Sequence, residues 1–404
     1  MRYIFIGGIF LNSQNDLILR NSSGIIQNAA NVYQASLLNG LDAVCECGVE
    51  ILNLPFVGSW PSRFRKLYFP SSMPASYGHS SLARGVGFLN ITLIKHFARF
   101  ISLCYVLLKR ETQRDSVFII YSVHLPFIAA VLLAKKIRLR SSKVCLVVPD
   151  LPEFMSDEDG KLYKFFKAID LFFIRKLIGH IDGYVLLTDA MAEKLNIEQG
   201  SYIVVEGIAN DNVPASKNIK SDKKVIFYSG TLASRYGIRD LVEAFKRIEC
   251  CNCELWICGE GDSRAYIESA ASLDERIKYH GQLPREKVIE LQMQSTVLVN
   301  PRLPLGEYTK YSFPSKIIEY MSTGRPVVMH KLPGIPAEYF QYCFTPELPN
   351  VESLQECLAF VLDLGADKLD EVGQSAKRFV LDNKSCVSQA ARVRSFLEEV
   401  INEK

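Results

Sequence analysis

The stretch KVIFYSGTLASRYGIRDLVEAFKRIECCNCELWIC, residues 224–258, sets the architecture. Residues 225–229 form a short apolar run ending at a glycine, 238–248 read as a helix, and 254–258 as a second apolar run. Strands apolar on both faces, alternating with helices, signal a parallel sheet covered by helices. The alternation continues through a helix over 262–271, a strand over 277–280, a helix over 285–294, a strand over 296–300, a helix over 315–322 and a strand over 326–329. From about residue 364 the chain reads as helical to the end, with a turn near Asn383.

The amino half repeats the pattern. Residues 3–6 are a strand closed by Gly7-Gly8, followed by a polar loop and a helix over 25–38. Strands are predicted over 117–121, 143–148, 183–187 and 202–205, with a helix over 125–136. Between the halves, NDNVPASKNIKSDKK is polar and aperiodic, the composition of a linker. The expected organisation is an α/β protein of two Rossmann-like, doubly wound parallel-sheet lobes with an inter-lobe cleft. The first lobe spans 1–208, the linker 209–224, the second lobe 225–384, and a closing helix 385–404. Ligands of such sheets bind beyond the carboxyl ends of the strands.

With 404 residues, 48% hydrophobic and 23% charged, the chain has the composition of a folded protein of two or three domains, not of a disordered or collagen-like one. The net charge of +3 hides a strong asymmetry: residues 51–149 hold 14 Lys/Arg against two acids, Glu111 and Asp115. One basic segment in an otherwise acidic protein points to a surface that meets something anionic. The 11 cysteines are scattered, mostly in apolar runs. Cys45/Cys47 and Cys250/Cys251/Cys253 lack a second cluster at zinc-finger spacing and read as reduced, buried thiols. The opening MRYIFIGGIF is too short and too glycine-broken for a signal peptide, which predicts a cytoplasmic protein. The apolar stretch 88–108 carries Thr92, Lys95, Arg99 and Ser102 at helical spacing, a polar stripe on an amphipathic helix rather than a membrane span.

The residues richest in possible chemistry lie in NPRLPLGEYTKYSFPSKIIEYMSTGRPVV, 300–328. A strand ends at Asn300, a loop follows, and a helix starts near Pro314 and ends at Gly324. The free N–H groups of Ser315 and Lys316 suit a phosphate, and a bound anion would offset the unfavourable Lys316 at the positive end of the helix dipole. Glu319 follows one turn later among Ile317, Ile318, Tyr320 and Met321, where a ribose diol or a lysine would satisfy its carboxylate.

Four segments in order, YSGTLASRYGIRDLVEAF (228–245), LWICGEGD (255–262), IKYHGQLPREKVIEL (277–291) and SFPSKIIEYMSTGRPVV (312–328), resemble the retaining glycosyltransferases of family 4. Gly7-Gly8, His-Leu-Pro at 124–126 and Val-Pro-Asp-Leu-Pro-Glu at 148–153 extend the resemblance into the amino half. It implies the GT-B fold, a nucleotide-diphosphate sugar donor, and a last helix that crosses back to the first lobe. It also implies that Glu319 is the second glutamate of the family's Glu-x7-Glu motif, holding the donor ribose. The first glutamate's position is Tyr311, with Glu307 four residues upstream in the same loop, and the family's basic pair is replaced by Thr231 and Tyr236. Arg235 and Lys316 are then the candidates for gripping the diphosphate, Glu307 for the donor sugar, and His124 for the face of the reacting sugar.

Such chemistry requires stabilising negative charge on a departing pyrophosphate, which fixed cations and backbone amides supply without a metal or other cofactor. Gly7 and Gly8 would let the first-lobe backbone approach the phosphates. Asp150 and Glu153 are candidates for orienting an acceptor hydroxyl, or simply turn and cap residues. Asp157-Glu158-Asp159 imitates a metal-binding Asp-x-Asp, but it precedes the basic helix KLYKFFKAIDLFFIRKLIGH, so acids at a helix start are the simpler account. That helix, the basic segment and Arg63/Arg65/Lys66 beside Phe64, Tyr68 and Phe69 suit anionic lipid or a lipid-pyrophosphate acceptor better than nucleic acid. The Ser/Pro/Gly-rich PSSMPASYGHSS, 70–81, reads as a mobile acceptor-side flap.

The expected function is therefore a glycosyltransferase at the cytoplasmic face of the inner membrane. It would move a sugar onto a carbohydrate, lipid-linked acceptor in surface polysaccharide assembly. A nucleotide-sugar 2-epimerase shares the bilobal fold but needs no basic-aromatic lobe. A non-catalytic GT-B scaffold is motivated by Tyr311, Thr231 and Tyr236, and opposed by Lys316, Glu319 and His124 together.

Overall fold

A computed structural model of the chain describes residues 2–23, 28–110, 116–151, 153, 161–209 and 223–402. Glu111, Asp115, the Asp157–Asp159 run and most of the expected linker lie outside the described residues. So do the side chains of Lys161, Lys164, Phe165 and Phe166. The chain divides into two compact units, Met1–Ile208 with Cys386–Lys404, and Ala209–Ser385.

The first unit runs β1 (Arg2–Gly7), α1 (Asn12–Asn21), α2 (Asn28–Val44), β2 (Val49–Asn53), β3 (Tyr68–Phe69), β4 (Ala75–Tyr77), β5 (Ser81–Gly85), β6 (Phe88–Leu89), α3 (Lys95–Leu108), β7 (Ser116–Tyr121), α4 (Leu125–Ile137), β8 (Lys143–Val148), α5 (Lys161–Ile178), β9 (Gly183–Leu186), α6 (Ala190–Leu195) and β10 (Tyr202–Val204). Its eight-stranded sheet has the order β10-β9-β8-β7-β1-β2-β5-β4, parallel but for the antiparallel β4. The strands β7 and β8 are buried almost end to end, as an all-parallel layer requires. One side of the sheet is closed by α2 and the C-terminal helix Cys386–Asn402. They meet at Gly40, where a Cβ would lie 1.9 Å from the Cys386 carbonyl oxygen.

Three expectations are corrected here. The polar loop after β1 contains the helix α1, whose sequence NSQNDLILRN is too polar to announce itself by periodicity. The flap over 70–81 is pinned rather than loose. It forms the β4–β5 hairpin, and the Asp42 carboxylate accepts hydrogen bonds from the amides of His79 (2.6 Å), Ser80 (3.0 Å) and Ser81 (2.8 Å) and from the Ser81 hydroxyl (2.6 Å). Burial alone would raise the Asp42 pKa, but these donors outweigh it and bring it down to about 2. The third correction concerns α3. Its cationic stripe faces inward, with Lys95 and Arg99 buried, while Phe97, Ile101 and Tyr105 face outward.

The second unit runs β11 (Lys224–Ser229), α7 (Ile238–Lys246), β12 (Cys253–Cys258), α8 (Arg264–Leu273), β13 (Ile277–Tyr279), α9 (Arg285–Gln294), β14 (Val297–Asn300), α10 (Lys316–Ser322), β15 (Val327–Met329), α11 (Val351–Asp363) and α12 (Ala366–Lys384). Its five strands are all parallel in the order β13-β12-β11-β14-β15. Ile226, Leu255, Ile257, Val297 and Val299 pack with Leu241 and Phe245 of α7 and Leu358 of α11 in one core. All eleven cysteines are free thiols, but Cys47 and Cys251 are exposed rather than buried.

Candidate functional site

In the second unit the expected donor residues gather around the carboxyl ends of β11, β12 and β14. The loops after β11 and β12 touch backbone to backbone: the Gly230 amide donates to the Cys258 carbonyl at 3.0 Å, and a Cβ on Gly259 would lie 1.8 Å from the Gly230 carbonyl oxygen. Gly259 has φ +140°, a conformation reserved in practice for glycine. Tyr320 of α10 fixes that helix to the end of β11, its buried hydroxyl accepting from the Ser229 amide at 2.9 Å and donating to the Ser229 carbonyl at 3.1 Å.

That anchorage sets Lys316 and Glu319 beside the strand ends. The Lys316 side chain passes Gly230 so closely that a Cβ there would meet its Cε at 2.9 Å. Its charge is felt at Cys258, where it opposes the dominant effect of burial, which raises that thiol to about 11. Ser315, exposed in front of α10, makes no side-chain cap. Glu319 is half-buried, its carboxylate held by a glutamine with an arginine nearby. Its Oε1 accepts from Gln292 Nε2 at 2.7 Å, and its Oε2 lies 4.0 Å from the Arg285 guanidinium. Gln292, fully buried on α9, also reaches Ser229 Oγ at 3.4 Å, while its own Oε1 has no hydrogen-bond partner.

The loop between β14 and α10 gathers the other candidates. Glu307 and Tyr311, four residues apart around the 3-10 turn Glu307–Lys310, are joined by a hydrogen bond from the Tyr311 hydroxyl to Glu307 Oε1 at 3.2 Å. The tyrosine at the expected first-glutamate position therefore meets the carboxylate that the sequence offers as its substitute. Arg235 is exposed and lies against the Tyr236 ring, and its carbonyl accepts from the Tyr308 hydroxyl at 3.2 Å. Between Tyr236 and Tyr308 sits Arg302, buried, its guanidinium donating to Ser312 Oγ at 2.8 Å while its Nε has no partner. The sequence reading missed Arg302 and Gln292. Each is a polar residue in an otherwise structural run, and only the packing shows what it faces.

In the first unit Gly7 and Gly8 have an internal reason to be glycine. The Gly8 amide donates to Gln34 Oε1 at 2.9 Å, and a Cβ on Gly8 would lie 2.4 Å from the Phe56 ring. His124 precedes α4, edge-on to Phe127 with ring centroids 4.5 Å apart, and follows Ser122, a non-glycine residue held at φ +72°. Its Nε2 lies 3.2 Å from the Arg99 guanidinium. Burial, and then the charges of Arg99, His96 and Lys95, hold its pKa well below the usual histidine range. Arginine only donates, so the neutral ring accepts at Nε2 and carries its proton on Nδ1.

Arg99 itself is 2% exposed, donates to the Pro55 carbonyl and stacks on Phe88 at 4.5 Å. Beside it Lys95 donates to the Val57 carbonyl, its pKa lowered to about 6 by burial and by Arg99. The unfolded chain thus binds more protons than the folded one between about pH 6 and pH 10, so this group makes stability rise with pH in that window. Lys95→Met should remove that slope and, by replacing a lysine that must shed its proton to be buried, raise stability near neutral pH by about 1 kcal/mol, or about 2–4 °C in melting temperature. Melting curves at pH 6.5 and pH 9 check it; a midpoint that drops at both would show that the ammonium is stabilising.

Asp150 stands exposed just beyond β8, yet lost hydration against the protein raises its carboxyl to about 6. Glu153 is occupied otherwise, paired to Arg175 at 3.4 Å and Lys194 at 3.6 Å. The cluster Arg63/Arg65/Lys66 keeps its charges outside, but Phe64 and Phe69 are buried core.

Residues 223–362 match the family model described as Glycosyl transferases group 1. The fold is that of GT-B glycosyltransferases. HepE from Anabaena, solved with UDP, is 12% identical with TM-score 0.64, over 99% of this chain and 100% of that one. The lipopolysaccharide outer core galactosyltransferase WaaB, in its apo form, is 12% identical with TM-score 0.63 over 99% of both chains. Sucrose-phosphate synthase from Thermosynechococcus elongatus is 13% identical with TM-score 0.64 over the whole of both. A comparison with curated proteins finds no match. The matched segment and the fold together support a glycosyltransferase of two Rossmann-like lobes.

Proposed function

We propose that the protein is a metal-independent, retaining glycosyltransferase that moves a sugar from a nucleotide diphosphate to a lipid-linked carbohydrate in surface polysaccharide assembly. The observation that carries the donor half is the meeting of Lys316, Ser315 and the Gln292-braced Glu319 at the glycine-lined ends of β11 and β12. There Lys316 and Arg235 neutralise the departing diphosphate, with the amides before α10 as further donors, and Glu319 holds the ribose. Arg302 backs the loop that carries Glu307, and Glu307 faces the donor sugar. HepE is also solved with UDP-glucose, a donor of this class.

From the first unit, His124 presents Nδ1–H, a fixed neutral donor for a sugar hydroxyl, whereas the buried Gly7-Gly8 backbone is taken up by Gln34, Leu54 and Phe56. Asp150 accepts the proton of the acceptor hydroxyl. That role needs the carboxylate, so kcat/KM should fall below about pH 6, the value to which lost hydration raises Asp150. Asp150→Asn should lower activity and abolish this acid limb; an unchanged limb would assign it to another group. The reading as a whole is tested by a panel of UDP- and GDP-sugars scored for release of nucleotide diphosphate. Turnover of none would leave a scaffold, and interconversion of the sugar without release would make the protein an epimerase.

A further inference from the structure

Helix α3 wears its amphipathic faces inside out. Lys95 and Arg99 point into the protein, while the outward face carries Ile94, Phe97, Ile101 and Tyr105, with Leu93 just before the helix. These are not marginally open: Phe97 is 65% exposed and Leu93 74%. Buried cations cost free energy and exposed phenylalanine gains none in water, so both halves of this arrangement are unfavourable in a chain surrounded only by water.

The neighbours continue the surface. α3 packs beside α4, and α4 beside α5. Ile137 of α4 and Phe172 and Phe173 of α5 are likewise exposed, with Lys176 over the Phe172 ring. At the far end of α3, a cavity of about 330 Å³ is lined by Arg2, Arg84, Lys109, Arg110 and Tyr105, and by Glu50, which is paired to Arg2 and Arg110 and leaves the cations in excess. An apolar helix face leading into a cavity where four cations outnumber one carboxylate matches the two layers of an anionic lipid surface, acyl chains and phosphate headgroups.

We propose that the outward face of α3 is the membrane-docking surface of the protein, with the Arg84/Lys109/Arg110 cavity receiving the phosphate of an anionic phospholipid. The proposal rests on the lipid-facing part of the function proposed above, and it replaces Arg63/Arg65/Lys66 by α3 as the principal contact. Inserted, Phe97 and Ile101 leave water, and the cations beside Tyr105 hold the helix flat at the headgroup level.

The test is co-sedimentation of the full chain with phosphatidylcholine vesicles, with and without phosphatidylglycerol. The wild type should bind the phosphatidylglycerol vesicles and lose binding as salt rises. Phe97→Ser with Ile101→Ser should lower the partition coefficient by about tenfold or more, with an unchanged melting temperature because both side chains are exposed. Arg84→Ser with Lys109→Ser should remove the preference for phosphatidylglycerol. Calorimetric binding of UDP and GDP should be the same in all variants, which separates a failure here from a failure of the donor site. Wild-type protein left in the supernatant, or equal binding by the Phe97/Ile101 variant, overturns the proposal. So does a dimer in sedimentation velocity that the Phe97/Ile101 variant dissolves, since a second copy would then cover this face.

Discussion

Lys316→Ala should reduce nucleotide-sugar turnover by at least about tenfold, the equivalent of a charge-assisted contact worth roughly 1.5–3 kcal/mol. The expectation follows from position. Lys316 is half-buried against Gly230 at the junction of two strand ends, and no ion pair is recorded for it among the described residues. A cation held there is what the proposed contact with the donor diphosphate requires. The substitution should leave the melting temperature within about 1 °C, since surface truncations away from packed features cost little. Lys316→Arg should recover part of the rate, because charge is kept but the compact ammonium is lost. Undiminished turnover in Lys316→Ala would remove the residue from the site. A large fall in melting temperature would reassign it to folding.

The second large effect concerns stability. Gly259→Ala should destabilise the protein by about 3 kcal/mol or more, because two costs add. Alanine at φ +140° is strained whatever space surrounds it, and here its methyl would sit 1.8 Å from the Gly230 carbonyl oxygen. That oxygen belongs to backbone, which cannot swing aside as a side chain would. Relief requires the loops after β11 and β12 to part, and the same parting displaces Gly230 from Lys316. Nucleotide affinity should therefore fall with stability. Chemical denaturation and calorimetric titration with UDP and GDP read the two effects. A variant as stable as the wild type would show that the loops separate easily, and the rigid phosphate end argued above would be lost with them.

The strands of the second sheet, and β1, β7, β8, β9 and β10 of the first, were legible because a parallel layer buried on both sides leaves a continuous apolar run, as in KVCLVV and KVIFYS; β2, VEILN with a glutamate inside it, was missed. The helix α1 and the β4–β5 hairpin were not legible either. NSQNDLILRN has too few apolar residues, and the hairpin's stability comes from Asp42, about 40 residues away in sequence. Periodicity gave α3 its two faces but not which of them the sheet would take. The buried choice of Lys95 and Arg99 depends on the carbonyls of Pro55 and Val57, which no local pattern reveals.

The donor residues show the same division. Ser315, Lys316 and Glu319 were readable from a proline-started helix, and Glu307 from its nearness to Tyr311. Gln292 and Arg302 act through partners 27 and 10 residues away, so their part emerged only from packing. For His124, the resemblance to family 4 suggested a sugar-facing imidazole. The tautomer came from Arg99, a residue that the sequence placed on the polar stripe of an amphipathic helix.

The most direct measurement of the central claim is amide hydrogen exchange of the full chain with and without UDP or GDP. The account predicts slower exchange with nucleotide in two segments, 229–235 and 313–319, where the strand-end loop and the start of α10 would hold the diphosphate. Unchanged exchange in both segments at saturating nucleotide, or protection confined to other parts of the chain, would contradict it.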